Sequence, residues 1–206
     1  PGFRARMQAR IARRYYEARQ FSEAMTEYEI YITAYGHNSR EGRLSIDRAR
    51  FMAAQSLFEM AESLRAAGQD AEPAYLRSQS AYETVITETP TTDLHGESLF
   101  GAGLAAQRRG GAADLRQGLG LFNRVKEEFA QRPDLVERAL LQSGRTLFLQ
   151  KHHAPAADTY NAFVRRFPES ADVPRALFEL AIVHRDADQS DLAVDAYDRI
   201  SLEADI

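Results

Sequence analysis

The pattern of apolar and small residues between Pro133 and Ile200 occurs twice. One copy runs Leu140, Ser143-Gly144, Leu147, then Ala156, Tyr160, Phe163 and Pro168; the other runs Leu177, Leu180-Ala181, His184, then Ala193, Tyr197 and Ile200. In both, twelve residues separate the small residue of the first segment from the alanine of the second, Gly144 from Ala156 and Ala181 from Ala193. Leu177, Leu180, Ala181 and His184 fall at i, i+3, i+4 and i+7, one stripe of a helix, and Ala193, Tyr197 and Ile200 form a second stripe. The short polar run Asp186-Ala187-Asp188-Gln189-Ser190 between them turns the chain back, which predicts an antiparallel helical hairpin. Small residues suit positions where two helix axes approach closely, and Tyr160 and Tyr197 fill the space beside them. Pro168 and Pro174 bracket the junction between copies, because proline ends one helix and suits the first turn of the next.

This arrangement resembles the tetratricopeptide repeat, whose signature is a large residue, Leu-Gly/Ala and Tyr at fixed offsets, then Ala-x3-aromatic, then Pro. Leu177, Leu180-Ala181 and His184 with Ala193 and Tyr197 match it, as do Gly144, Leu147, Ala156, Tyr160 and Pro168. The run Phe167-Pro168-Glu169-Ser170, followed by Pro174-Arg175-Ala176-Leu177, is similar to the bacterial cell-envelope branch of the family. That branch includes the lipoprotein of the outer-membrane β-barrel assembly machine and the periplasmic coordinator of the Tol-Pal system. The resemblance implies a protein-binding role and a periplasmic or outer-membrane-associated location.

The same pattern recurs upstream. Ala12 and Ala24, twelve residues apart, mark a first hairpin with Tyr15, Tyr28 and Tyr31, ended by Gly36-His37-Asn38-Ser39. A second hairpin places Ala54 against Ser78, with Tyr82, Val85 and Pro90; its small residues stand 24 apart, which predicts that each helix gains about six residues and that the hairpin projects around Gly68-Gln69-Asp70-Ala71-Glu72-Pro73. A third pairs Gly103 with Gly118 at a spacing of 15, with the added residues expected in a loosened turn at Arg108-Arg109-Gly110-Gly111. Gly101, Gly103, Gly118 and Gly120 inside its helices suggest tight helix contact or a soft joint. The chain is expected to be all-α: one right-handed α-solenoid domain over 1–206, with five hairpins, ten helices, an elongated second hairpin, and boundaries near 3–38, 42–90, 94–131, 134–170 and 171–206. The last hairpin lacks a polar capping helix, and the chain opens on proline, so it reads as a segment of a longer protein.

In such a stack the first helices line a concave face. That face is expected to present Arg6, Arg13 and Tyr16, then Arg48, Gln55 and Phe58, then Arg138, Arg145 and Phe148, and finally Arg175. Ala12, Ala24, Ala54, Gly103, Gly144, Ala156, Ala181 and Ala193 are the packing positions. Arginine and aromatic residues anchor protein partners through bidentate carboxylate contacts and large rigid area. The aromatic members have a second reading as inter-repeat core. One version of the family clamps a C-terminal carboxylate with lysine and asparagine; Arg6, Arg10, Gln55, Arg138 and Gln142 stand here instead, so the expected partner is an acidic or extended peptide or a helix.

Formal net charge is -4, which gives no general affinity for nucleic acid, and no apolar window approaches a membrane span. The absence of cysteine removes disulfides, thiolate catalysis and zinc-thiolate sites. Charge is uneven: residues 1–20 hold six arginines against one glutamate, and residues 169–206 hold ten acidic residues against three arginines. That asymmetry suggests self-association through the ends. His152-His153 lies in an expected turn without spaced partners, His37 and His95 lie in connections, and no nucleophile elbow or phosphate loop occurs, so no catalytic residue, metal site or cofactor is expected. The leading reading is a non-enzymatic scaffold in a bacterial envelope assembly. The alternatives are a structural or oligomerising segment of a larger repeat protein and the regulatory domain of an enzyme.

Overall fold

One residue in the left-handed backbone region lies in each of the five links inside the expected hairpins: Arg19 (φ 59°), Gly68 (70°), Gly110 (76°), Lys151 (63°) and Asp188 (58°). Four of these turns share a hydrogen-bond pattern. The next residue donates to the carbonyl five positions back, Gln20 to Tyr15, Gln69 to Leu64, His152 to Leu147 and Gln189 to His184, each at 2.9 Å. The left-handed residue donates three positions back, as from Arg19 to Tyr16 at 3.0 Å and from Lys151 to Phe148 at 2.8 Å. This closure satisfies carbonyls that a helix C-terminus leaves unpaired and reverses the chain sharply.

The computed structural model describes residues 2–35, 45–88 and 93–204. The chain divides into two compact units, Pro1–Arg109 and Gly110–Ile206. In the first, α1 (Gly2–Glu17), α2 (Phe21–Tyr35), α3 (Ile46–Ala66), α4 (Glu72–Glu88) and α5 (His95–Arg109) pack in order, each on the next, and α3 also touches α5. The second repeats the scheme with α6 (Ala112–Glu128), α7 (Pro133–Leu149), α8 (His153–Arg166), α9 (Val173–Asp186) and α10 (Ser190–Ala204), α7 also touching α9. Every element among the described residues is a helix. The expected helix end at Gly36-His37-Asn38-Ser39 and the expected role of Pro90 lie outside the described residues.

Local chemistry sets the helix starts. Ser45 caps α3, its hydroxyl accepting from the Arg48 N–H at 3.2 Å, and Asp70 accepts from the Glu72 N–H at 3.0 Å where α4 begins. Pro133 opens α7 and Pro174 falls in the first turn of α9, where a missing N–H costs nothing. Burial then holds the helices together. In unit 1 Ala5, Ala12, Ala24, Tyr28, Tyr31 and Ala49 form one cluster, and in unit 2 Tyr160, Phe163, Leu177 and Leu180 centre another.

The second hairpin is long, but not evenly so. The fully buried Ser78 hydroxyl donates to the Ala54 carbonyl at 2.9 Å, which fixes the pairing of these two positions. Ala54 lies twelve residues before the end of α3 and Ser78 is seventh in α4, whereas Ala12 lies five before the end of α1 and Ala24 is fourth in α2. Most of the excess therefore extends α3 to 21 residues instead of being shared between the two helices. The extension has its own core of Ala61, Ala71, Ala74 and Tyr75 with Phe58 and Leu64. The Tyr75 hydroxyl donates to Glu62, which also accepts from Arg108 Nε of α5 at 2.9 Å, so part of the arm is braced by its neighbour.

The third link is shorter than the expected Arg108-Arg109-Gly110-Gly111 turn. Arg108 and Arg109 belong to α5 and only Gly110-Gly111 connect it to α6, Gly110 taking a left-handed φ that a glycine adopts without strain. Gly118 is accordingly seventh in α6, where Ala156 is fourth in α8. The close approach in α5 lies at Gly101: a Cβ there would stand 2.5 Å from the Tyr82 ring of α4. At Gly144 a Cβ would stand 2.8 Å from the Tyr160 ring. Gly120 is different, with nothing within 4 Å of an added Cβ, so neither helix contact nor crowding explains it.

Candidate functional site

Helical spacing puts Arg6, Arg10, Arg13 and Glu17 at i, i+4, i+7 and i+11 along one side of α1, while Ala5 and Ala12 face α2 and are fully buried. That side of α1 looks across at Arg48 and Met52 on α3. Between them lies a concavity of about 910 Å³, lined by Arg6, Arg10, Arg13, Tyr16, Arg48 and Met52 among others, with Tyr28 of α2 also contributing. Small Ala9 leaves the room, and the tyrosines supply rigid apolar wall with a polar tip.

Four arginines against the single Glu17 give this concavity a positive field. Arg13 Nε meets Glu17 Oε1 at 2.7 Å, but both side chains are more than half exposed, so solvent screens the pair and it holds Arg13 only weakly. Burial pushes the Tyr28 hydroxyl up to about 12, against the opposing pull of the Arg13 and Arg48 guanidinium groups. Tyr16 is likewise raised, chiefly by burial and by nearby Glu59, although a hydrogen bond with Gln55 acts in the other direction. Both phenols are therefore neutral hydrogen-bonding groups at physiological pH. The arrangement offers guanidinium donors around a partly apolar floor, which suits carboxylate-bearing ligands.

The remaining residues expected on the concave face lie elsewhere or are engaged. Phe58 packs edge-on against Tyr75, ring centroids 5.7 Å apart, inside the α3–α4 hairpin. Arg145 Nη1 donates to Glu179 Oε1 at 3.2 Å, joining α7 to α9. Arg175 stands 3.8 Å from Asp172, and Phe148 lies under Lys151 Nζ and beside the His153 ring at the α7–α8 turn. Arg138 is exposed and also has an interaction within the chain. The packing positions are all buried: Ala12, Ala24, Ala54, Ala156 and Ala181 completely, with Ala193, Gly103 and Gly144.

Two histidines differ from expectation. His153 is not a bare turn residue; it begins α8 and its Nε2 lies 2.8 Å from Asp186 Oδ2, an acid that also meets Lys151 Nζ at 3.3 Å. His95 is not in a connection but opens α5, buried. Nothing local in the sequence marks the first contact, since Asp186 is 33 residues away. Of the other pocket residues, Arg10 is expected on this face and shares the i, i+4, i+7 spacing of Arg6 and Arg13, whereas no sequence signal places Tyr28 or Met52 there.

Residues 138–170, most of α7 and α8, match the family model of the tetratricopeptide repeat. The fold is that of tetratricopeptide repeats. Among solved structures the chain is similar to the nearly identical TPR-like repeats of a putative kinesin light chain from Podosopora anserina, at 15% identity over 98% of this chain and 95% of that one, TM-score 0.68. It is also similar to MamA, at 13% identity over 94% of this chain and 88% of that one, TM-score 0.64. A third likeness is to the apo form of RapI, at 12% identity over 94% of this chain and 52% of that one, TM-score 0.64. No match was found among curated protein sequences. Among the described residues, no helix is long and apolar enough to cross a membrane.

Proposed function

We propose that the chain is a non-enzymatic scaffold that captures a protein partner through an acidic, extended segment seated against α1 and α3. The supporting observation is the convergence of Arg6, Arg10, Arg13 and Arg48 with Tyr16 and Tyr28 around one concavity of about 910 Å³. Guanidinium groups pair with carboxylates in a fixed fork, and half-buried Tyr16 supplies rigid contact area at small entropic cost. The similarity to tetratricopeptide repeats supports a protein as the partner. We assign the scaffold to a bacterial envelope assembly on the likeness of the Phe167-Pro168-Glu169-Ser170 junction to that branch; cell fractionation tests this assignment, and recovery of the native protein in the cytosol rejects it.

The test of capture is selection of a displayed random-peptide library on the purified chain. Selected peptides should be acidic and bind less tightly as salt rises, because the contacts are charge pairs near the surface. Arg6→Glu combined with Arg48→Glu should weaken them by at least about tenfold, ~1.4 kcal/mol, without loss of helical circular dichroism. Neutral or basic selected peptides, or acidic ones bound unchanged by the double variant, contradict the reading.

A further inference from the structure

The side of α1 turned away from α2 carries two interleaved stripes. Phe3, Met7 and Ile11 recur at i, i+4 and i+8 and are 68%, 38% and 40% exposed, far more than the buried face of the same helix. Arg10 and Arg14 lie on the same side, both exposed, and a second concavity of about 480 Å³ runs along Met7, Arg10, Ile11 and Arg14. The outer side of α10 is its complement. Ala193, Ala196 and Tyr197 face inward, which leaves Asp191, Asp195 and Asp198 on the opposite side at i, i+4 and i+7, all exposed. Leu192 and Val194, 49% and 57% exposed, flank that acidic row.

We infer that these two faces bind one another between copies of the chain, α1 of one molecule receiving α10 of the next. The occupant follows from charge. An α1 face meeting a second α1 opposes arginine with arginine, and an α10 face meeting a second α10 opposes aspartate with aspartate; only the mixed pairing brings the rows into register with opposite sign. Leu192 and Val194 then cover the Phe3, Met7 and Ile11 stripe, which supplies the apolar burial that charge alone does not. Half-buried Arg199 sits at the edge of the α10 row, beside Leu192, and leaves the three aspartates unopposed at its centre. Because the two faces differ, the contact is heterologous: each added molecule brings one α1 face and one α10 face for a further copy, so the average mass rises with concentration. The contact shares Phe3, Met7 and Arg10 with the rim of the concavity between α1 and α3, whereas Ile11, Arg14 and the α10 face lie outside it, so variants at Arg14 and Asp195 separate self-association from partner capture.

Sedimentation of the purified chain tests it. At low salt the average mass should rise with concentration, and moderate salt should return it to the monomer. Arg14→Asp alone and Asp195→Arg alone should each be monomeric, since each variant opposes like charges with itself. An equimolar mixture of the two should associate, because every head then finds a tail of opposite sign. A chain that stays monomeric at high concentration and low salt overturns the inference, as does a mixture that stays monomeric when the unsubstituted chain associates.

Discussion

The two units carry arginine at the same repeat position and use it in opposite ways. Arg13 follows the small residue Ala12 of α1, and Arg145 follows the small residue Gly144 of α7. In unit 2 the next first helix presents Glu179 two positions before its own small residue, Ala181, and Arg145 is bound to it at 3.2 Å. The corresponding position in unit 1, two before Ala54, is Met52, which lines the concavity without offering a charge. Whether the following repeat binds this arginine therefore turns on a single residue there. The repeat register alone places the side chain but does not say whether its charge is satisfied.

The largest expected effect concerns what the units share. Both contain a helix glycine pressed against a tyrosine ring, Gly101 on Tyr82 and Gly144 on Tyr160. Substitution by alanine gains helix propensity of about 1 kcal/mol but forces the ring aside, so Gly101→Ala and Gly144→Ala should each destabilise by a net ~1–3 kcal/mol. Hydrogen exchange should report each loss in its own unit. An unchanged or raised stability for either variant removes the close-approach account for that hairpin.

Next comes conversion of one unit into the other. Met52→Glu gives α3 the acid that α9 already has, so it should pair with Arg13 and Arg48 and weaken capture of an acidic peptide by about tenfold, ~1.4 kcal/mol, read by titration calorimetry. Its effect on stability should stay within ~1 kcal/mol, because the new pair is partly exposed.

A smaller effect, of opposite sign to the first, is expected at Gly120. Nothing crowds its Cβ position, so Gly120→Ala should stabilise by about 0.5–1 kcal/mol in denaturant unfolding.

The smallest belongs to the α8–α9 contact of unit 2. Hydrogen bonds from Lys151 and then His153 hold the Asp186 carboxyl below its usual value of 3.8. A carboxyl lowered by folding stabilises the native state fully above that usual value, and the contribution disappears as pH falls through the folded-state value. Asp186→Asn should therefore be slightly less stable than the unsubstituted chain at neutral pH, with the difference vanishing in strong acid. A difference that persists unchanged into acid points to shape, not charge.

Much of the fold was legible because it rests on local periodicity. The paired small residues and the aromatic stripes predicted ten helices and their order, and Gly68 and Gly110 marked two left-handed turns by residue type alone. Arg19, Lys151 and Asp188 take the same conformation without any such mark, since their turns are imposed by the two hydrogen bonds that close the helix. The unequal growth of α3 was hidden for a related reason: spacing between small residues gives the total excess and not its division among helix, turn and helix. For the candidate face, register identified Arg6, Arg13, Tyr16 and Arg48, which meet round one concavity. It could not show that Arg145 is spoken for or that Phe58 lies in a hairpin core, because both depend on contacts between helices that are distant in sequence.

The most direct test sets the two equivalent arginines against each other. Binding of one selected acidic peptide should be measured for Arg13→Glu and for Arg145→Glu under identical salt. The account predicts a loss of about tenfold or more for Arg13→Glu and little change for Arg145→Glu, whose guanidinium already serves Glu179. Equal losses, or a greater loss for Arg145→Glu, would contradict it.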